Sequence, residues 1–180
     1  GSPGRPRHRA RGDLRRRQTL GTRLAMMHDT SIWLNATAES MAEICRTTLA
    51  MDLRRNVDTP KLPANLTGCY VALVGKEESL QIGLASDAQG CQILAQTLFG
   101  ADNELSDTDV NDALGELANI LAGGVKTRMA ATFGGISLSL PIVMEGHLRV
   151  TDRQQVGQLD VALNDVPIRL LVVCSRDEAP

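Results

Sequence analysis

Polar residues recur at helical spacing within the segment "DVNDALGELANILAGGVKTRM", residues 109–129. Asp112, Glu116 and Asn119 are separated by four and then three residues, which puts their side chains on one face of an α-helix. At about 100° per residue, Gly123 also falls within roughly 40° of Asp112. A carboxylate and a carboxamide presented together can bind a charged partner and orient water. The segment therefore predicts a helix that offers Glu116 and Asn119 to another molecule.

The opposite face of this helix is apolar, and the residues beside the polar face are small. Gly115, Ala118 and Ala122 border the polar face, and glycine costs a helix interior about 1 kcal/mol relative to alanine. We interpret these residues and Gly123 as a low surface that another molecule approaches closely. The alternative is an ordinary solvent face, with Gly123-Gly124 marking a helix end. The predicted core face consists of Val110, Leu114, Leu117, Leu121 and Val125.

The segments before this helix predict two further helices and a hairpin. "NATAESMAEICRTTLAMDLRR" has apolar residues at helical spacing from Leu34 to Leu53. "CYVALVG" and "SLQIGLAS" flank the polar "KEE", which is typical of a β-hairpin. "SDAQGCQILAQTLFG" predicts a helix capped by Ser86 or Asp87 at its start and by Gly100 at its end.

Three strand-like segments follow the long helix. They are "ISLSLPIVMEGHLRV", "QVGQLDVALND" and "VPIRLLVVCS". Leu159, Val161 and Leu163 alternate with polar residues, as expected for a half-buried strand. Runs of helices and strands joined by hairpin-length turns predict an α+β domain, an α/β sandwich-like arrangement with a largely antiparallel sheet.

Charge divides the chain into a basic tail, residues 1–26, and a folded domain, residues 27–180. The tail carries eight Arg and one Asp, and it lacks apolar periodicity, so we predict that it is disordered. A non-native remnant or an upstream translated segment is our interpretation, and binding of nucleic acid or acidic lipid is the alternative. The remaining residues are net acidic, which argues against nucleic acid as the partner of the folded domain.

The composition excludes several kinds of site. Cys45, Cys69, Cys91 and Cys174 are scattered without a C-x-x-C pair, so we predict buried thiols and a cytoplasmic protein. The three His residues do not cluster, and we predict no metal site in this chain. No apolar run approaches the ~20 residues of a membrane span, so we predict no membrane partner.

With these flanks, the long helix resembles the signature helix of the CheC/CheX/FliY chemotaxis phosphatases. The motif of that family is Asp or Ser, three residues, Glu, two residues, Asn, matched here by Asp112, Glu116 and Asn119. The hairpin, the second helix and "ISLSLPIVMEGH" resemble the corresponding family segments. The first helix offers Asn35 and Glu39 but carries Ala42 where a second motif needs Asn. A single motif is similar to the CheX branch.

The resemblance implies a CheC-like sheet flanked by long helices, and a phosphatase acting on the phosphoaspartate of a CheY-type receiver domain. It implies that Asn119 orients the hydrolytic water and that Glu116 pairs with a receiver lysine. Asp112, Gly115, Ala122 and Gly123 would support the site or contact the partner. The chain would need no cofactor of its own, because the receiver supplies Mg²⁺.

The resemblance also implies a homodimer joined through sheet edges. The segment "VPIRLLVVCS" is compatible with that, because it is apolar on both faces toward its end and requires cover on both. Two other functions stay open. One is a non-catalytic module that binds a response regulator, and the other is an adapter similar to flagellar switch components.

Overall fold

The computed structural model describes residues 21–22, 25–55, 61–75 and 79–175. Within them, three long helices lie against one antiparallel sheet. The helices are α1 (Thr30–Ile44), α2 (Ala88–Phe99) and α3 (Asp107–Met129). The strands are β1 (Leu53–Arg55), β2 (Leu66–Val74), β3 (Ser79–Ser86), β4 (Ser137–Leu138), β5 (Ile142–Gly146), β6 (Gln154–Leu163) and β7 (Val166–Ser175).

The strand order is β1-β6-β7-β3-β2-β4, and β5 also pairs with β2. The pairs are antiparallel; β2 pairs with β3 from Thr67 and Ser86 to Val74 and Ser79, and a two-residue turn joins β6 to β7. The predicted α+β class with a largely antiparallel sheet is therefore confirmed. One edge of the sheet is the short β1, and the other is shared by β4 and β5, which pair with different parts of β2.

The main core fills the space between the helices and one face of the sheet. Alternate residues of β7, Leu170, Val172 and Cys174, point into this core. Trp33 of α1 is fully buried, and its ring lies 5.0 Å from that of Phe133, just beyond the end of α3. Because aromatic rings bury large apolar areas, this pair joins the first helix to the segment that follows the third.

The last strand-like segment, β7, lies inside the sheet between β6 and β3. Its other face carries Leu171, which is also buried and belongs to a small cluster with Tyr70 and Ala85. The apolar pattern on both faces of this strand is therefore satisfied within one chain, and it does not by itself require a second copy.

The first helix ends earlier than its apolar pattern predicts. After α1 the chain makes a π-helical turn, Cys45–Leu49, and Ala50 then adopts the left-handed conformation with φ 50°. Leu53, which continues the helical spacing, instead lies in β1 opposite Leu163. The prediction of a helix through Leu53 is wrong, because the left-handed residue turns the chain toward the sheet edge.

The folded part reaches slightly upstream of residue 27. Residues 25–28 are helical, and Met26 and Met27 pack against the core. Residues 1–20 and 23–24 lie outside the described residues, so the predicted disordered tail stays a prediction there.

Candidate active site

The start of α3 is held by side chains on both sides of the preceding loop. Ser106 caps the helix, because its hydroxyl accepts a hydrogen bond from the Asp109 N–H at 3.2 Å. On α2, the amides of Gln92 and Gln96 donate to the carbonyls of Leu105 and Asn103, each at 3.0 Å. Caps at Asp87 and Gly100 fix α2 itself, as predicted. The loop therefore positions the first turn of α3.

The polar face of α3 is exposed along its length. Asp112, Glu116 and Asn119 are all exposed, whereas Leu114 and Leu117 are fully buried between them. The helix is thus buried on one side and offers a narrow polar stripe on the other, as the spacing predicts. We call Asp112, Glu116, Asn119 and Gly123 the α3 stripe.

The polar side chains of the α3 stripe have no polar partner within the described part of the chain. Neither Glu116 nor Asn119 makes a hydrogen bond there, and neither carboxylate, Asp112 or Glu116, forms an ion pair. Their donors and acceptors are therefore available to another molecule. Because the backbone beneath them is an interior stretch of helix, the two groups keep a fixed spacing.

The predicted open flank of the stripe is closed in the structure. Gly115, Ala118 and Ala122 are buried, so the prediction of a low exposed surface is wrong for these three residues. A Cβ built on Gly115 would lie 3.6 Å from Cγ of Pro141, the residue just before β5. At Gly115 the missing side chain lets the sheet edge pack beside the helix, and Ala118 and Ala122 belong to the main core.

The two adjacent glycines of α3 have different surroundings. A Cβ on Gly124 would lie 3.1 Å from both Cβ and Oγ of Ser40 on α1, so this glycine permits the close contact of two helices. Gly123 has nothing within 4 Å of an added Cβ. Packing inside the chain therefore explains Gly124 but not Gly123, which lies in the α3 stripe one turn beyond Asn119.

The related residues of α1 are engaged with their own chain. Asn35 donates to the Glu39 carboxylate at 3.1 Å, and Glu39 also lies 3.7 Å from the Arg128 guanidinium of α3. Arg128 forms a shorter pair with Glu43 at 2.6 Å, and this bond holds the pKa of Glu43 below its ordinary value. The position that would complete the motif is Ala42. On this face of α1, Glu39 and Glu43 are both engaged with Arg128, and the asparagine that the motif needs is replaced by Ala42.

The cysteines and the other potential metal ligands of the described residues show no sign of catalytic or metal chemistry. All four cysteines are buried and none forms a disulfide, as predicted, and burial raises the pKa of Cys45, Cys69 and Cys91 to about 11. Such thiols are protonated at neutral pH and are poor nucleophiles. Among the described residues, no group of three or more His, Cys, Asp or Glu side chains could hold a metal ion.

None of the helices described is long and apolar enough to cross a membrane.

A cavity of about 240 Å³ lies on the face of the sheet away from the helices. Tyr70, Arg169 and Leu148 are among its lining residues, and Arg169 is held by both oxygens of Asp160 at 2.7 and 2.8 Å. This pairing satisfies the charge of Arg169 internally. The cavity therefore does not combine unpartnered charged groups as the α3 stripe does.

Sequence reasoning missed one residue of the site, Pro141. It interrupts the edge of the sheet between β4 and β5 and packs on Gly115, which precedes Glu116. The available signal was the proline within "ISLSLPIVMEGH", since proline in sheets is restricted to edge strands, strand starts and bulges.

An antiparallel sheet with long helices on one face is the architecture of CheC-like proteins, and in this chain α3 presents Glu116 and Asn119 from it. The sequence model of the family described as "Chemotaxis phosphatase CheX" matches residues 67–162, more than half of the chain. The chain belongs to the CheX family of chemotaxis phosphatases.

Solved structures share the fold at low sequence identity. A CheC-like superfamily protein from Shewanella sp. PV-4 has a TM-score of 0.67 and 17% identity, covering 80% of this chain and 97% of its own. The CheX protein of Vibrio vulnificus has a TM-score of 0.64 and 17% identity, covering 80% and 96%. CheX in the CheX-CheY-BeF3-Mg²⁺ complex of Borrelia burgdorferi has a TM-score of 0.54 and 16% identity, covering 81% and 98%. No curated protein matches the chain.

Proposed function

We propose that this protein hydrolyses the phosphoaspartate of a CheY-type receiver domain and that the α3 stripe is its active surface. The observation that carries the proposal is the exposed pair Glu116 and Asn119, unpartnered in the described chain and fixed on a helix. Membership of the CheX family supports the reaction class. The Borrelia complex, in which a CheX protein is bound to CheY, supports the partner class.

Asn119 is proposed to orient the attacking water. An aspartyl phosphate is already reactive, so the catalyst needs mainly to hold a water in line with phosphorus. The water oxygen bonds to phosphorus, the bond from phosphorus to the carboxyl oxygen breaks, and its electron pair leaves with the receiver's carboxylate. The water protons stay on phosphate or pass to solvent. A carboxamide suits this role because it both accepts and donates hydrogen bonds without titrating.

Glu116 is proposed to pair with the receiver's active-site lysine. The two side chains lie one turn apart on α3, so a partner held by Glu116 would meet Asn119 in a fixed register. Asp112 lies one turn further toward the helix start and is proposed to contact the receiver without taking part in the reaction. The proposal assigns Mg²⁺ to the receiver, in keeping with the Borrelia complex, in which Mg²⁺ accompanies CheY.

Release of phosphate tests the proposal. Purified receivers would be phosphorylated with a small phosphodonor, freed of it, and followed with and without this protein. Faster phosphate release from at least one receiver is the expected result. A protein that binds phosphorylated receivers but leaves their decay unchanged would instead be a non-catalytic adapter, and this outcome would overturn the proposed activity.

We also propose that the protein forms a homodimer through the β5 edge of the sheet. We propose in addition that it is cytoplasmic. The opposite edge is short and charged, with Arg54 paired to Asp165 at 2.8 Å. β5 instead exposes Ile142 and Met144 along a free edge, and such edges are templates for pairing. Light scattering at micromolar concentration tests the dimer, because a mass near 19.4 kDa would mean a single chain. The buried free thiols support a reducing compartment.

A further inference from the structure

The cavity on the far face of the sheet has an apolar floor and is roofed by a short connection. Its floor is part of the small far-face cluster, Leu66, Tyr70, Val156 and Leu171. Residues 147–153 join β5 at one edge of the sheet to β6 near the other, so they cross β2, β3 and β7. Leu148 and Val150 of this connection line the same cavity, which places the crossing over the floor. We call residues 147–153 the strap.

Two glycines direct the Tyr70 side chain into this cavity. A Cβ built on Gly83 would collide with Cδ1 of Tyr70, so the ring crosses β3 where only glycine leaves room. A Cβ on Gly68 would lie 2.9 Å from the Tyr70 hydroxyl oxygen. The hydroxyl therefore lies over Gly68, next to Leu66 on the same face of β2, and Leu66 lines the cavity. Packing fixes the ring, and the hydroxyl reaches the cavity.

The hydroxyl of Tyr70 has no hydrogen-bond partner within the described chain, although the residue is only 8% exposed. A polar group buried without a partner destabilises a protein, so such groups are uncommon in folded chains. Burial raises the pKa of Tyr70 above its ordinary value, so the hydroxyl keeps its proton at neutral pH. It is therefore a hydrogen-bond donor that an oxygen acceptor in the cavity would satisfy.

The strand register places a second donor beside this hydroxyl. Gly68 pairs with Ala85, and Ala85 pairs with Arg169, so the three lie in one row across the sheet. Arg169 lines the cavity. Asp160 accepts from Nε and Nη2 of Arg169, which leaves the Nη1 donors without a partner in the described chain. The ion pair holds the guanidinium in place and balances its charge.

We propose that this cavity is a binding site for a small uncharged molecule with an apolar body and one oxygen acceptor, which the Tyr70 hydroxyl and Nη1 of Arg169 bind. Ligand sites combine mostly apolar walls with a few fixed polar groups, as the floor, the strap and these donors do. An anion is disfavoured because Asp160 already balances Arg169. At about 30 Å³ for each water, about 240 Å³ corresponds to a molecule of roughly eight non-hydrogen atoms. The site is on the face of the sheet away from α3, so the inference does not depend on the proposed function.

The test uses three benzene derivatives of this size as probes. Acetophenone carries a ketone oxygen, toluene lacks an acceptor, and benzoate carries a negative charge. Each would be titrated into the ¹⁵N-labelled full chain and followed through the backbone amide signals. We expect saturable binding of acetophenone in the millimolar range, about fivefold tighter than that of toluene or benzoate. The shifts should fall in β2, β7 and the strap and leave α3 unchanged.

A pair of variants, each lacking one hydroxyl, identifies the donor. Tyr70→Phe keeps the ring over Gly83, and we expect it to bind acetophenone about fivefold more weakly, the effect of one hydrogen bond. Its affinity for toluene should equal that of the wild type. Its melting temperature should not fall, because the hydroxyl has no partner in the described chain to lose. The control is Thr97→Val on α2, whose hydroxyl donates to the Ile93 carbonyl at 2.7 Å outside the cavity, and it should bind acetophenone normally.

Failure of acetophenone to bind, or binding no tighter than that of toluene or benzoate, would overturn the inference. Equal acetophenone affinities of Tyr70→Phe and Thr97→Val would do the same. A lower melting temperature of Tyr70→Phe would mean that the hydroxyl stabilises the fold, which contradicts its role as an unpartnered donor. If the amide signals of the strap shift on dilution without any probe, a second copy of the chain covers the cavity and the inference fails.

Discussion

Helices α1 and α3 both carry the central Glu of the motif, Glu39 and Glu116, and they differ in what surrounds it. On α3, Glu116 and Asn119 are exposed and have no polar partner within the described chain. On α1, Asn35 and Glu39 are exposed too, but they bond to each other, and Glu39 also lies near Arg128. The side chains on the two helices are therefore similar in type and exposure. They differ in whether their polar groups are already bonded within the described chain.

The difference shows that a motif on a helix surface is defined by its neighbours as well as by its spacing. Arg128 reaches from α3 to two carboxylates of α1 and so links the helices. An amide at position 42 would still face a carboxylate that is already engaged. Arg128 and the α1 carboxylates link the two helices, whereas the polar side chains of the α3 stripe have no partner within the described chain.

The largest expected contrast is between Asn119→Ala and Asn35→Ala. Asn119→Ala should slow dephosphorylation about 100-fold or more, as loss of one transition-state hydrogen-bonding group does in other enzymes. Its free energy of unfolding should change by less than about 0.5 kcal/mol, because the side chain is on the surface. Asn35→Ala should leave the rate unchanged. Phosphate release and urea unfolding check both variants, and equal rates for the two would remove the distinction between the helices.

Glu116→Ala and Glu39→Ala extend the contrast to binding. We expect Glu116→Ala to weaken binding of a BeF3⁻-loaded receiver about tenfold, because an ion pair across the interface is lost. Glu39→Ala should bind normally, since its carboxylate is directed at Arg128 within the chain. Calorimetric titration measures both affinities. Normal affinity of Glu116→Ala would rule out the proposed lysine contact.

Adjacent glycines allow a smaller contrast within α3. Gly124→Ala forces a Cβ against Ser40, whose hydroxyl is bonded to the Ala36 carbonyl at 2.8 Å, so we expect a loss of about 1 kcal/mol or more. Gly123→Ala meets no atom and should gain up to about 1 kcal/mol from helix propensity. Thermal and urea unfolding measure both. We expect slower dephosphorylation by Gly123→Ala despite its higher stability, and full activity would show that no partner approaches there.

The smallest predicted effect is a pH dependence of the ion pair between Glu43 of α1 and Arg128 of α3. The hydrogen bond and charge of Arg128 hold the pKa of Glu43 below its ordinary value of 4.5. A carboxyl whose folded pKa is depressed contributes stability above its unfolded pKa and loses it as the pH falls through the folded pKa. The contribution is therefore complete at neutral pH, begins to fall near pH 4.5 and is lost as the pH passes the lower pKa of the folded protein. In Arg128→Gln, NMR titration should find the Glu43 pKa raised toward 4.5. An unchanged pKa would contradict the ion pair between Glu43 and Arg128.

Local patterns predicted the parts of the fold that depend on local chemistry. The hairpin, the caps of α2, and the buried and exposed faces of α3 follow from residue spacing and capping preferences. The end of α1 did not, because Leu53 keeps the helical spacing and the left-handed turn at Ala50 leaves no mark in a sequence without glycine there.

The sequence did not predict which small residues of α3 are buried, because contacts between distant segments determine this. Gly115 and Ala122 are small because the sheet edge and the core pack against them, and Gly124 is small because Ser40 approaches it. A helical wheel contains no information about such neighbours. The open surroundings of Gly123 were predicted, because the helical wheel places it on the polar face beside Asp112 and Glu116.

The most direct test of the account follows the side-chain amides of Asn119 and Asn35 in one NMR experiment. The ¹⁵N-labelled protein would be titrated with a receiver loaded with BeF3⁻ and Mg²⁺. The account predicts that the Asn119 amide signals shift or broaden in proportion to the bound fraction, while those of Asn35 stay in place. A receiver that binds and perturbs Asn35, or leaves Asn119 unperturbed, would contradict the claim that α3 carries the active surface.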